Sequence, residues 1–290
     1  MKKVLYTLIL IILAAPNIFA EEQTRAEQVT RALARAYPRQ IQQVEFRNGD
    51  WAVLLRDTWY FYAEGRMLPE NLTAKASDYN GLPFYSLPAE LPEWVRPNKE
   101  EEERFRNFAN NRRQNRLRRP AYFFDDLWQA GSRSESYDRV KTIRFLQHPV
   151  TVHYLILEHL SLVEMQITSD ARNDPQVQEW VNSISRLEGW SWRDIAETQS
   201  RSYHSYGLAV DIIPKSYNGM EAYWLWTISR REDWWNIPYS QRYHPPQAVI
   251  AAFEKYGFIW GGKWSIFDTI HFEYRPEILI LSGRPPEIQR

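Results

Sequence analysis

Ser202-Tyr203-His204-Ser205-Tyr206-Gly207-Leu208-Ala209-Val210-Asp211 is the stretch on which the reading turns, together with Trp260-Gly261-Gly262-Lys263-Trp264 and Asp268-Thr269-Ile270-His271-Phe272-Glu273 further along. A neutral imidazole nitrogen and a carboxylate oxygen are good ligands for Zn²⁺. The seven-residue step from His204 to Asp211 is too long for one helical turn. It suits a histidine on a loop or strand edge and an aspartate further along a strand. Gly207 and Ala209 between them let backbone pass close by. His271 is the candidate third ligand, from a late strand, and three protein ligands leave one position open for water. Asp268, three residues before His271, is within reach of that water and is the candidate general base and acid. Trp260, Trp264, Phe267 and Phe272 would surround the site with apolar surface and raise the pKa of Asp268. Taken singly, each residue has a structural alternative: His271 as a satisfied core histidine, Asp268 as a turn cap.

Together, the two segments resemble the D-Ala-D-Ala carboxypeptidase and L-alanyl-D-glutamate endopeptidase family, the VanY/VanX-like branch of the zinc peptidases that also includes hedgehog-like domains. The S-x-H-x-x-G-x-A-x-D pattern is complete from Ser202 to Asp211, and W-G-G-x-W followed by D-x-x-H-F-E from Trp260 to Glu273. The resemblance implies that His204, Asp211 and His271 bind zinc and that Asp268 is the acid/base acting on zinc-activated water. Asp at 268 and Ile at 270, where carboxypeptidases usually carry Glu and Trp, look more like the endopeptidase branch. The family's Ser-Gly-Tyr-Arg segment is matched at two of four positions by Ser169-Asp170-Ala171-Arg172, implying Arg172 as a substrate or oxyanion contact. The resemblance spans roughly residues 140–280. It implies hydrolysis of peptidoglycan stem peptides, the alternative being a non-catalytic wall-binding or scaffold protein on the same zinc fold.

Composition narrows the field independently. The chain has 290 residues, long enough for one large or two modest domains, and 44% are hydrophobic, enough for a real core. With no Cys, disulfides, thiolate zinc sites and a Cys nucleophile are excluded. Thirty-six basic and 36 acidic side chains argue against a nucleic-acid binder. Neither GxxxxGK[ST] nor GxGxxG is present. Lys2-Lys3, the apolar run Val4–Ala15 and the step from Phe19-Ala20 to Glu21-Glu22 read as a signal peptide over residues 1–20. The protein is therefore expected to be exported, periplasmic or cell-wall associated, and to touch a membrane only if that segment stays uncleaved.

The rest of the chain divides into three. Residues 21–98 are expected to hold a short helix over 24–36 and a small antiparallel β-meander over 44–62, with Asn48-Gly49 at one turn. A Pro-rich linker follows, with Pro69, Pro83, Pro88, Pro92 and Pro97. Residues 99–120 read as a charged helical segment whose Glu and Arg pair at short spacing. Residues 121–290 read as an α+β domain, a small antiparallel sheet with flanking helices carrying the zinc site. Within it, helices are expected from Pro149, over 174–188 and from Pro245-Pro246, a strand at 165–167, and late strands at 258–260 and 270–274. Trp224, Trp226, Trp234 and Trp235 lie between the motifs, as core or as the lining of a groove.

Overall fold

A computed structural model describes residues 18–111, 114, 117–196 and 198–287. All but the last three residues of the expected signal peptide lie outside these, as does part of the Arg-rich run. Helix α1 (Ile18–Ala36) runs across the position of the expected cut. No helix among the described residues is long and apolar enough to cross a membrane.

The architecture is α+β. Strands β1 (Ile41–Arg47), β2 (Asp50–Leu55) and β3 (Thr58–Phe61) form the expected meander, and a two-residue β4 (Leu68–Pro69) extends it. A 3₁₀ segment (Glu70–Asp78) follows, and then an extended arm to residue 98. Helices α2 (Lys99–Asn111), α3 (Tyr122–Trp128) and α4 (Arg133–Asp138) lead into a hairpin of β5 (Val140–Phe145) and β6 (His148–His153). Helices α5 (Leu157–Asp170) and α6 (Pro175–Ser183) precede the sheet that matters most here. Its strands are β7 (Ile184–Glu188), β8 (Ala209–Pro214), β9 (Phe258–Trp260) and β10 (His271–Tyr274), in the order β7-β8-β10-β9 and antiparallel throughout. The short α7 (Trp224–Thr227) and α8 (Gln247–Lys255) sit between β8 and β9, and α9 (Pro276–Leu281) follows β10.

Three expectations are corrected. The helix expected from Pro149 is strand β6 followed by a 3₁₀ turn, and α5 begins only at Leu157. Val150 and Val152 point into the core as alternate residues of a strand, a spacing that blends into the helical repeat of Ile156, Leu160 and Val163. Residues 165–167 belong to α5, not to a strand. The helix expected over 174–188 stops at Ser183, and β7 takes the rest.

Residues 21–98 and 121–290, expected as separate segments, share one apolar cluster. It runs from Ala26, Val29 and Leu33 of α1 through Val53 and Leu55 of β2 to Phe253 of α8 and Phe272 of β10. Complete burial of such a side chain contributes about 1.5–3 kcal/mol, so α1 and the meander gain stability from sharing this core with the late sheet. The polar counterpart is Tyr37, whose hydroxyl donates to Glu277 Oε2 at 2.6 Å.

Candidate metal centre and its acid/base

Period-two alternation in β10 builds the site. Phe272 faces the core, stacked on Phe253 with ring centroids 3.9 Å apart. His271 and Glu273 then share the opposite face. In β8, Val210 and Ile212 join the main core while Asp211 stands in direct register with His271. His204 comes from the 3₁₀ turn Tyr203–Tyr206, where the Ser202 side chain accepts from the His204 backbone N–H. Gly207 closes that turn at φ +71°, and a Cβ there would lie 2.7 Å from His153 N. Only glycine combines the left-handed conformation with that approach.

The three side chains converge. Asp211 Oδ1 is 2.8 Å from His271 Nδ1 and 3.3 Å from His204 Nε2, and the two ring nitrogens are 3.3 Å apart. The far nitrogen of each imidazole is also engaged. His204 Nδ1 is 2.6 Å from Gly189 O, and His271 Nε2 is 3.0 Å from Glu273 Oε2. Acceptors there fix each ring's tautomer and orient its inner nitrogen's lone pair into the centre. Burial pushes the Asp211 carboxyl up, but the charges and hydrogen bonds of His204 and His271 hold it well below the usual range. Burial pulls His271 down, but Asp211 and Glu273 carry it well above its ordinary value. Among the described residues this is the group of acidic and imidazole side chains that could hold a metal ion. Two nitrogens, each on an imidazole supported from behind, and one carboxylate oxygen fit a zinc ion.

Asp268 lies on the loop that enters β10. Its Oδ1 is buried and has no hydrogen-bond partner among the described residues. Burial, with the Asp211 charge adding to it, pushes the carboxyl up to about 7 against the opposing pull of His271, of a hydrogen bond from the Ile270 backbone and of Arg193. The loop is rigidly held. Asp268 N–H donates to Gly261 O at 3.1 Å, and Trp260 Nε1 donates to Thr269 O at 2.8 Å. A Cβ on Gly261 would lie 2.5 Å from Asp268 O, which accounts for a glycine at that point of W-G-G-x-W.

The Trp-rich insertion supports the same loop. Trp224, Trp234, Trp235 and Ile237 bury themselves around Phe267, and Trp224 N–H donates to Phe267 O at 3.0 Å. Phe105 of α2 packs on Trp234 and Trp235, so this helix has a seated aromatic face as well as its charged one. Trp226 stays outside the cluster, 45% exposed.

Arg172 is not brought to the site. It lies in the exposed turn after α5, where its backbone N–H donates to Ser169 O. The arginine whose charge bears on Asp268 is Arg193. Ser205 Oγ accepts from Arg193 N–H at 2.9 Å and donates to Arg193 O at 2.5 Å, so the first motif clamps this residue's backbone. Gly189 to Arg193 follow β7, and no local sequence pattern singles out Arg193. His153 and His159 are structural, bonded to Trp128 O and Tyr274 Oη.

Residues 196–274 match the family described as D-alanyl-D-alanine carboxypeptidase, and residues 29–84 match a domain of unknown function. The first match contains His204, Asp211, His271 and Asp268, and it supports a peptidase. No solved structure matches the chain.

Proposed function

We propose that the protein is an exported zinc peptidase that hydrolyses peptide bonds in peptidoglycan stem peptides. The observation that carries this reading is the meeting of His204 Nε2, Asp211 Oδ1 and His271 Nδ1 beside a buried carboxylate oxygen, Asp268 Oδ1, that has no other partner. When bound, a zinc ion there supplies Lewis acidity toward a carbonyl and lowers the pKa of a coordinated water. Asp268 accepts the proton of the attacking water and returns it to the departing amine. Its environment suits both halves of that task, because a carboxyl poised near neutrality exchanges protons in either direction. Arg193, whose charge bears on Asp268, is the residue we assign to stabilising a substrate carboxylate or a developing oxyanion. Trp264, packed against His271 with ring centroids 5.5 Å apart, limits water there and strengthens these interactions.

The intact Asp268 favours catalysis over a scaffold role, since a pure binder has no use for a buried carboxylate oxygen without a partner. Defined muropeptides incubated with the purified protein, with and without a chelator, test the reading by product mass. Chelator-sensitive loss of the terminal residue identifies a carboxypeptidase. A split between the first two stem residues identifies an endopeptidase. No cleavage by zinc-loaded protein contradicts the reading.

A further inference from the structure

The stretch that matches the carboxypeptidases ends at residue 274, but the hydrogen bonds that orient its last ligand continue beyond it. Glu273, which fixes the His271 ring, also lies 3.3 Å from Arg275 NH1. Arg275 Nε pairs with Glu277, and Arg275 NH2 donates to Pro83 O at 3.0 Å, so all three guanidinium nitrogens are committed. Glu277 in turn accepts from the Tyr37 hydroxyl. Glu273, Arg275 and Glu277 are 5%, 1% and 0% exposed, a charged chain sealed from solvent. A second route reaches the same imidazole. Trp264 packs against His271 with ring centroids 5.5 Å apart, and its Nε1 donates to the Tyr85 hydroxyl at 2.7 Å. The arm carrying Pro83 and Tyr85 is pinned further along by Leu87 N–H to Ser282 Oγ and by Lys263 Nζ to Ala89 O.

We propose that Tyr37, Pro83 and Tyr85 are positioning residues for the metal ligand His271, so that the N-terminal segment completes a metal centre whose ligands all lie outside it. The inference rests on the metal reading above. Its physical basis is that a buried alternation of acid, base and acid tolerates no missing partner. Without the Tyr37 hydroxyl, Glu277 draws Arg275 toward itself and away from Glu273. Glu273 then holds the His271 ring less firmly, and the ligand set is less well prepared for the ion. Without the Tyr85 hydroxyl, the Trp264 indole loses its anchor and the wall behind His271 loosens.

The test uses the full chain with Tyr37→Phe and Tyr85→Phe, each of which removes one oxygen. Tyr60→Phe is the control. It lies in β3 of the N-terminal segment, and its hydroxyl bonds to Tyr122 O and Asp126 Oδ2, away from the chain leading to His271. Zinc affinity is read by competition with a chromophoric chelator, and ligand geometry by the visible absorption of the cobalt-substituted proteins. The expected result is an affinity about three- to tenfold weaker in Tyr37→Phe and Tyr85→Phe, with altered cobalt bands. Tyr60→Phe is expected to keep wild-type affinity and spectrum, even if its melting temperature falls. Wild-type affinity and spectrum in both test variants overturn the inference, and so does equal weakening in Tyr60→Phe. A wild-type protein that takes up neither zinc nor cobalt overturns the metal reading itself.

Discussion

Asp268 carries opposing demands at the scale of one residue. A buried carboxyl without a partner at Oδ1 is costly when ionised, yet general-base chemistry requires the ionised form. The pH dependence follows from its folded value of about 7 against an ordinary value of 3.8. Below the ordinary value both folded and unfolded chains hold the proton, and the residue costs nothing. As pH rises from there to about 7, the unfolded chain ionises first and the fold is progressively destabilised; above that the penalty is constant. Asp268→Asn is therefore expected to stabilise the metal-free protein by on the order of 2–4 kcal/mol at pH 8 and by little at pH 4. Thermal melts in chelator at the two pH values check this. An equal shift at both would mean that the charge is not the cause. The grouping of His204, Asp211 and His271 was legible from residue types and spacing, and so was the place of Asp268 just before β10. Arg193 was not, because its role depends on a backbone clamp by Ser205 that no local pattern reveals.

At the scale of elements, the site depends on close backbone approach. The 3₁₀ turn Tyr203–Tyr206 meets β6 where His153 N–H donates to Gly207 O at 2.8 Å. Gly207→Ala forces a side chain into a left-handed backbone position and against His153 N. The expected cost is about 1–3 kcal/mol for the backbone, more once the clash is included, with weaker zinc binding because His204 lies three residues away. Denaturant unfolding and a zinc titration of the same variant measure both. This junction also shows why β6 escaped prediction. Pro149 marks a helix start as readily as a strand position that needs no N–H donor. Only the pairing with β5, Arg144 opposite Pro149 and Ile143 opposite Val150, decides between them. Elements whose period is unbroken, such as β10 and α8, were read correctly.

For the whole molecule, the N-terminal helix, the meander and the late sheet form one core, and the buried chain from Tyr37 to His271 threads through it. Such sharing is invisible to local periodicity. The apolar face of α1 announces that something covers it, but not that the cover lies at the other end of the chain. A shared core predicts a single cooperative transition. Urea unfolding followed by tryptophan fluorescence and by far-ultraviolet circular dichroism is expected to give coincident curves. Leu33→Ala, at a fully buried position of α1, is expected to shift both together by about 2–5 kcal/mol. Separated transitions would mean that the N-terminal part folds by itself and that the late sheet does not depend on it.

The central claim is that one metal triad and one buried carboxylate do the chemistry. The most direct measurement is the turnover of a defined muropeptide by Asp268→Ala, carried out beside a zinc assay of the same sample. The expected result is a full equivalent of zinc with turnover reduced by about 10²–10⁴-fold. Wild-type turnover at full zinc occupancy would remove Asp268 from the reaction and contradict the account.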